Sequence, residues 1–188
     1  MVQWIWLVSI WLLVACDHRV KQAAAAATST DTTLQHAYGL PNTLVDYVTV
    51  HFPQWRMVEK NDYSRTWWSF YDSSYNHCWA RTDINDDRLA DYALLLKKDS
   101  LVQLIVFMGT ASHSFTHYRP EHPYISYNDK EHGLFHGIAV APPAQIDVVL
   151  PRIQSLILRS NGFALLELEV RTHIYYWQND RLQTFYMK

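Results

Sequence analysis

The sequence predicts an α+β fold, a single domain built mainly of antiparallel β-sheet with one N-terminal helix. Three observations lead there. Aromatic residues make up 14% of the chain, with eight Trp and twelve Tyr, and together with Val-, Ile- and Thr-containing runs they favour strands, whose pleated surface suits bulky side chains. Clusters of Asp, Asn, Ser and Gly interrupt these runs at short intervals, as hairpins require. Ahead of them, Leu44, Val45, Val48 and Phe52 lie at helical spacing. Asn42 or Thr43 supplies an N-cap and Pro53 a stop, so a short helix is predicted to about His51.

With 188 residues, 49% of them hydrophobic and 18% charged, the chain is long enough for one domain with a substantial core. The formal charge is −2 and the pI about 6.5. Lys and Arg are scattered, so nucleic acid is not an expected partner, because binding it takes a concentrated basic face.

Residues 4–13 form an uncharged apolar run of ten residues. That is too short to span a bilayer as a helix but suits the hydrophobic region of an export signal. The run ends in Leu13-Val14-Ala15-Cys16, which resembles the lipobox of bacterial lipoproteins. The resemblance implies cleavage before Cys16 and a diacylglycerol on its sulfur. Residues 1–15 are then a signal peptide, and the membrane is a partner through the lipid anchor. Residues 1–3 carry no Lys or Arg, a departure from the usual basic start of such signals. Asp17 resembles the residue that retains enteric lipoproteins at the inner membrane, which implies the cell envelope and the periplasmic face of that membrane. The rest of residues 16–37, with Ala at 23–27 followed by Thr and Ser, reads as a flexible tether. Residues 38–188 are the expected globular domain. With Cys16 acylated, Cys78 has no partner in an oxidising compartment and is expected to be buried.

Along that domain, residues 65–71, 75–81, 91–97 and 101–108 read as strands, the last an apolar run, broken only by Gln103, suited to the centre of a sheet. Residues 109–133, with Gly109, Pro120, Pro123 and Gly133 among His and Tyr, read as one long loop. Another strand is expected at 134–140. Residues 146–159 fit either a helix or short extended pieces, with Pro151 against the helix. Residues 160–162 make a turn before 163–170, and 172–177 with 182–187 flank residues 178–181 as a hairpin.

The densest chemistry lies between residues 79 and 96. Asp83, Asn85, Asp87 and Asp91 stand at positions 1, 3, 5 and 9 of an oxygen-rich loop entering an apolar strand. Hard oxygens at that spacing, curled around one point, suit calcium. The stretch resembles the calcium loops of FG-GAP-type repeats in integrin-like β-propellers. The resemblance implies one calcium ion, side-chain ligands from Asp83, Asn85, Asp87 and Asp91, and the backbone carbonyl of Leu89. Two departures stand out: Arg88 takes the sixth position, where such loops carry Gly, and Leu94 takes the twelfth, where an EF-hand has Glu. A propeller needs many repeats, so one loop implies a clip on a single hairpin.

Ten His are present. His113 and His117, and likewise His132 and His136, are four apart, a spacing at which two imidazoles share a metal on a helix. Trp67, Trp68, Trp79, Tyr175, Tyr176 and Trp177 fit either a sheet core or a sugar-binding platform. No Gly-x-Ser-x-Gly, Cys-x-x-Cys or phosphate-cradling Gly-rich motif occurs. The expected role is a non-catalytic binding or structural module whose partner is an envelope protein or a glycan. The alternatives are a metal-dependent hydrolase using the 113–136 segment with Glu121 or Asp129, and a periplasmic immunity lipoprotein that meets a toxin.

Overall fold

A computed structural model of the chain describes residues 38–120, 124–126, 133–149 and 153–187. Cys16 and the stretches expected to be a signal peptide and a tether lie outside the described residues. The chain divides into two compact units, Met1–His51 and Phe52–Lys188. In the first unit, α1 (Asn42–His51) buries Leu44, Val45 and Val48. Its first free N–H groups, on Leu44 and Val45, donate to the Pro41 carbonyl at 3.0 and 3.2 Å. Among the described residues no helix is long and apolar enough to cross a membrane.

The second unit is mostly antiparallel sheet. Its larger, six-stranded sheet is centred on β3 (Asp91–Lys98) and β4 (Leu101–Gly109), paired from Tyr92↔Phe107 to Lys98↔Leu101. β1 (Arg56–Met57) and β2 (Trp79–Thr82) pair with β3, while β5 (Phe115–Tyr118) and β6 (Tyr124–Ser126) pair with β4. Residues 92–96 of β3 and 102–108 of β4 are continuously buried, as expected of strands covered on both faces. The second sheet runs in the order β12 (Arg181–Met187), β11 (Arg171–Gln178), β10 (Gly162–Glu167), β7 (His136–Ala141). A separate hairpin, β8 (Ala144–Val148) with β9 (Gln154–Leu158), packs Leu156 and Leu158 against Ala141, Ala164 and Ile174 of that sheet.

Three segments differ from the sequence reading. Residues 65–71, expected as a strand, form α2 (Arg65–Phe70). The Ser64 hydroxyl caps it by accepting the Trp67 N–H at 3.0 Å, and a satisfied N-cap outweighs the weak strand preference of aromatic residues. Trp67 is fully buried, stacked on Tyr71 at 4.1 Å and edge-on to His77 at 5.3 Å. The expected strand at 75–81 shortens to β2, because Asn76 bends the chain by accepting the Cys78 N–H and Sγ–H at 3.1 and 2.9 Å. The expected loop at 109–133 contains β5 and β6, which complete the edge of β4.

Close approach fixes Gly137. A Cβ there would lie 2.5 Å from Trp67 Cζ2 and 3.2 Å from His77 Cβ, so β7 meets the aromatic cluster only with a glycine at this point. Cys78 is buried, and burial pushes its thiol up to about 12, out of nucleophilic range.

Asp62 ties β1 to β3. It receives Arg56 Nη1 and Nη2 at 2.6 and 2.7 Å, Lys97 Nζ at 2.7 Å and the Glu59 N–H at 2.9 Å. Burial by itself raises this carboxyl, but the Arg56, Lys97 and Glu59 hydrogen bonds overcome it and hold the group at about 2. Asp62→Ala removes the buried carboxylate shared by Arg56, Lys97 and the Glu59 N–H and is expected to lower unfolding stability by about 3 kcal/mol. The folded value lies below the ordinary 3.8, so the contribution is present above about pH 4 and lost as pH falls toward 2. Urea midpoints of wild type and variant should therefore converge across that window.

Candidate functional site

The acidic loop closes on its own backbone. Asp83 Oδ1 and Oδ2 accept the N–H groups of Asp87 and Arg88 at 3.1 and 2.7 Å. Asn85 Oδ1 accepts the Asp87 N–H at 3.3 Å, and its Nδ2 donates to Asp87 Oδ2 at 2.9 Å. Asp87 Oδ1 accepts the Leu89 N–H at 2.8 Å. These side chains replace backbone partners in successive tight turns, the usual habit of Asp and Asn in loops. Asp86 and Arg88 have φ of +59° and +69°, left-handed conformations that strain a residue with a Cβ. The Ser160 hydroxyl donates to Asp86 Oδ2 and holds the loop from outside.

Asp91 faces the other way. It is fully buried, accepting the Ile84 N–H on Oδ2 at 2.9 Å and the Gly109 N–H on Oδ1 at 2.8 Å. Burial pushes its carboxyl up to about 6 against those two donors, with Asp87 and Asp83 adding to the rise. The fold thus gathers Asp83, Asn85, Asp87 and the Leu89 backbone in one turn, while Asp91 fastens the root of the β3–β4 hairpin.

The histidines divide among separate settings. His113 is exposed on a turn with φ +58°, and His117 lies on β5 against Phe52 at 5.0 Å. His136 sits on β7 of the other sheet, and His132, Glu121 and Asp129 lie outside the described residues. Among the described residues, no group of three or more His, Cys, Asp or Glu side chains is placed to hold a metal ion. Trp67 and Tyr175 are buried and Trp68, Trp79, Tyr176 and Trp177 half-buried, so these aromatics are packed into the fold.

A second constellation follows from strand parity. Alternate residues of a strand share a face, and the register aligns His136, Glu167 and Arg171 across β7, β10 and β11. The next row on that face is Ile138, Leu165, His173 and Tyr186. With Ile125 of β6, six of these residues, all but Ile138, line a cavity of about 350 Å³, within the range of small-molecule sites. Arg171 Nε donates to Glu167 Oε2 at 2.6 Å, and His136 Nε2 lies 3.7 Å from Glu167 Oε1. His136 Nδ1 is buried with no hydrogen-bond partner among the described residues. Burial lowers His136 to about 4 despite Glu167, with His173 and Arg171 contributing, so its imidazole is neutral near pH 7. The Tyr186 ring stands edge-on to His173 at 4.8 Å and is 41% exposed at the mouth.

The sequence reading singled out His136 but did not join it to His173, and it missed Glu167, Arg171 and Tyr186. Their signal was parity: each occupies the same alternate set as the buried Phe163, Leu165 and Tyr175. Polar residues at core-facing positions mark a lined cavity or a buried network.

No family model matches this sequence, and neither the curated proteins nor the solved structures include a significant match to it.

Asp91→Ala strands the Ile84 and Gly109 N–H groups and is expected to cost about 3 kcal/mol of unfolding stability. Hydrogen exchange should locate the loss at these two amides and in the adjoining loop.

Proposed function

We propose that the chain is a lipid-anchored protein of the bacterial cell envelope whose folded part is a non-catalytic binding module. The cavity between β6 and the β7–β10–β11–β12 face carries this reading. Its polar groups arrive from strands of one sheet, so they are held in fixed register, as a binding seat requires. Binding is favoured over proton-transfer chemistry because His136, held neutral by burial, is a weak base at neutral pH, whereas general catalysis wants a value near working pH. The lipobox resemblance supports the anchor, with the periplasmic face of the inner membrane as its address. The partner is then a small polar group, free or displayed by another envelope protein or a glycan.

Leu165→Trp fills the cavity floor. Thermal-shift screening of the full chain against small polar solutes is expected to give a stabilising solute whose effect this variant abolishes. Persistence of the shift in the variant defeats the reading. Radiolabelled palmitate should enter the wild type and be lost with Cys16→Ser, which should also leave the membrane fraction.

A calcium clip at the acidic loop is a second reading, favoured by the left-handed Arg88 at the sixth position, the conformation for which FG-GAP loops use Gly. The ligands are the oxygens of Asp83, Asn85 and Asp87 with the Leu89 carbonyl, while Asp91, whose two oxygens accept the Ile84 and Gly109 N–H groups, stays at the hairpin root. For a site with Kd of order 10⁻⁴ to 10⁻³ M, 10 mM calcium should add about 1–3 kcal/mol of stability. Differential scanning calorimetry should show a rise in Tm that Asp87→Ala removes.

A further inference from the structure

We infer that the cavity lined by His136, Glu167, Arg171, His173 and Tyr186 seats the oxyanion group of a small molecule, a phosphate ester, sulfate ester or carboxylate. The inference rests on the cavity being the binding seat and names what enters it. Hydrogen-bonding inventory decides the class. Glu167 is the carboxylate lining the cavity, and it is already engaged by Arg171 Nε at 2.6 Å, with His136 Nε2 at 3.7 Å. Arg171 donates only Nε there, so its two Nη groups make no hydrogen bond to a described residue. A guanidinium with both Nη groups available matches the paired oxygens of a phosphate or carboxylate. The neutral His136 imidazole carries one N–H donor and one acceptor, so the balance is set by the Arg171 Nη groups. The cavity therefore offers more donors than acceptors, and a ligand must bring acceptor oxygens and negative charge. Ile125 and Leu165 supply apolar wall for the remainder of the molecule. A transition metal fits less well, because the carboxylate it needs is held by a cation.

Sulfate is a suitable probe because it does not titrate between pH 5 and 8. Isothermal titration of the full chain in detergent, at constant ionic strength, is expected to show one sulfate bound per chain. Arg171→Gln should weaken it by about tenfold or more, the worth of a charge-assisted hydrogen bond. Glu167→Gln should tighten it about fivefold, because a like charge is removed and Arg171 is released. Arg181→Gln, at the start of β12, should leave it unchanged. The opposite signs at positions 167 and 171 guard against general misfolding, which weakens binding in both variants. Equal affinity in wild type and Arg171→Gln, or weaker binding in Glu167→Gln, overturns the inference. Saturable binding of methylammonium or zinc with sulfate silent also overturns it, while leaving the binding seat intact. Silence of every solute, together with an unaltered Leu165→Trp protein, removes both.

Discussion

The pairing of Asp91–Lys98 with Leu101–Gly109 carries the larger sheet. Each of its other strands is attached to one member of that pair, β1 and β2 to β3, and β5 and β6 to β4. Leu94, Leu95, Leu96, Leu104, Ile105 and Phe107 are fully buried there, each contributing about 1.5–3 kcal/mol relative to exposure. Apolar pairing of this kind is indifferent to a slip of two residues, so polar bolts fix its position. Asp91 supplies one at the open end by gripping Gly109 N–H across the pair. Asp62 supplies another by holding Lys97 of β3 and Arg56 of β1 together.

The second sheet solves a different problem with the same geometry. Its hairpin-facing side is apolar, with Ala141, Ala164 and Ile174 under Leu156 and Leu158. The other side begins apolar at Phe163 and Tyr175 and turns polar toward Glu167 and Arg171. Along one strand, two steps of the pleat separate packed core from lined cavity. That change of character sets a neutral imidazole beside a carboxylate and a guanidinium, where desolvation outweighs the pull of Glu167 on the proton. Stability given up by leaving polar groups half-satisfied is a common mark of a site that meets a ligand.

The antiparallel, strand-rich architecture was legible because period-two patterning and turn chemistry are local. The apolar run that became β4, broken only by Gln103, and the aromatic hairpin of β11 and β12 were plain in the sequence. Residues 65–71 were misread because Trp, Tyr and Phe were weighed by propensity alone, although Ser64 stood ready to cap a helix and Trp67 to anchor it. Residues 115–118 and 124–126 were missed because short strands between Pro and Gly carry little pattern of their own and are made strands by the edge of β4. The acidic turn was recognisable from spacing, yet its carboxylates divide their work. Asp83 and Asp87 bind the loop's own N–H groups, and Asp91 reaches 18 residues on to Gly109.

The sequence by itself determined which stretches extend and which residues alternate along each strand. Those properties depend on neighbours within a few bonds. Tertiary structure alone decided that His136, Glu167 and Arg171 form one row and that His173 and Tyr186 form the next. The 30 positions between His136 and Glu167 contain no signal for that alignment. It arises from inter-strand hydrogen bonds whose register is set only once β7, β10, β11 and β12 lie side by side.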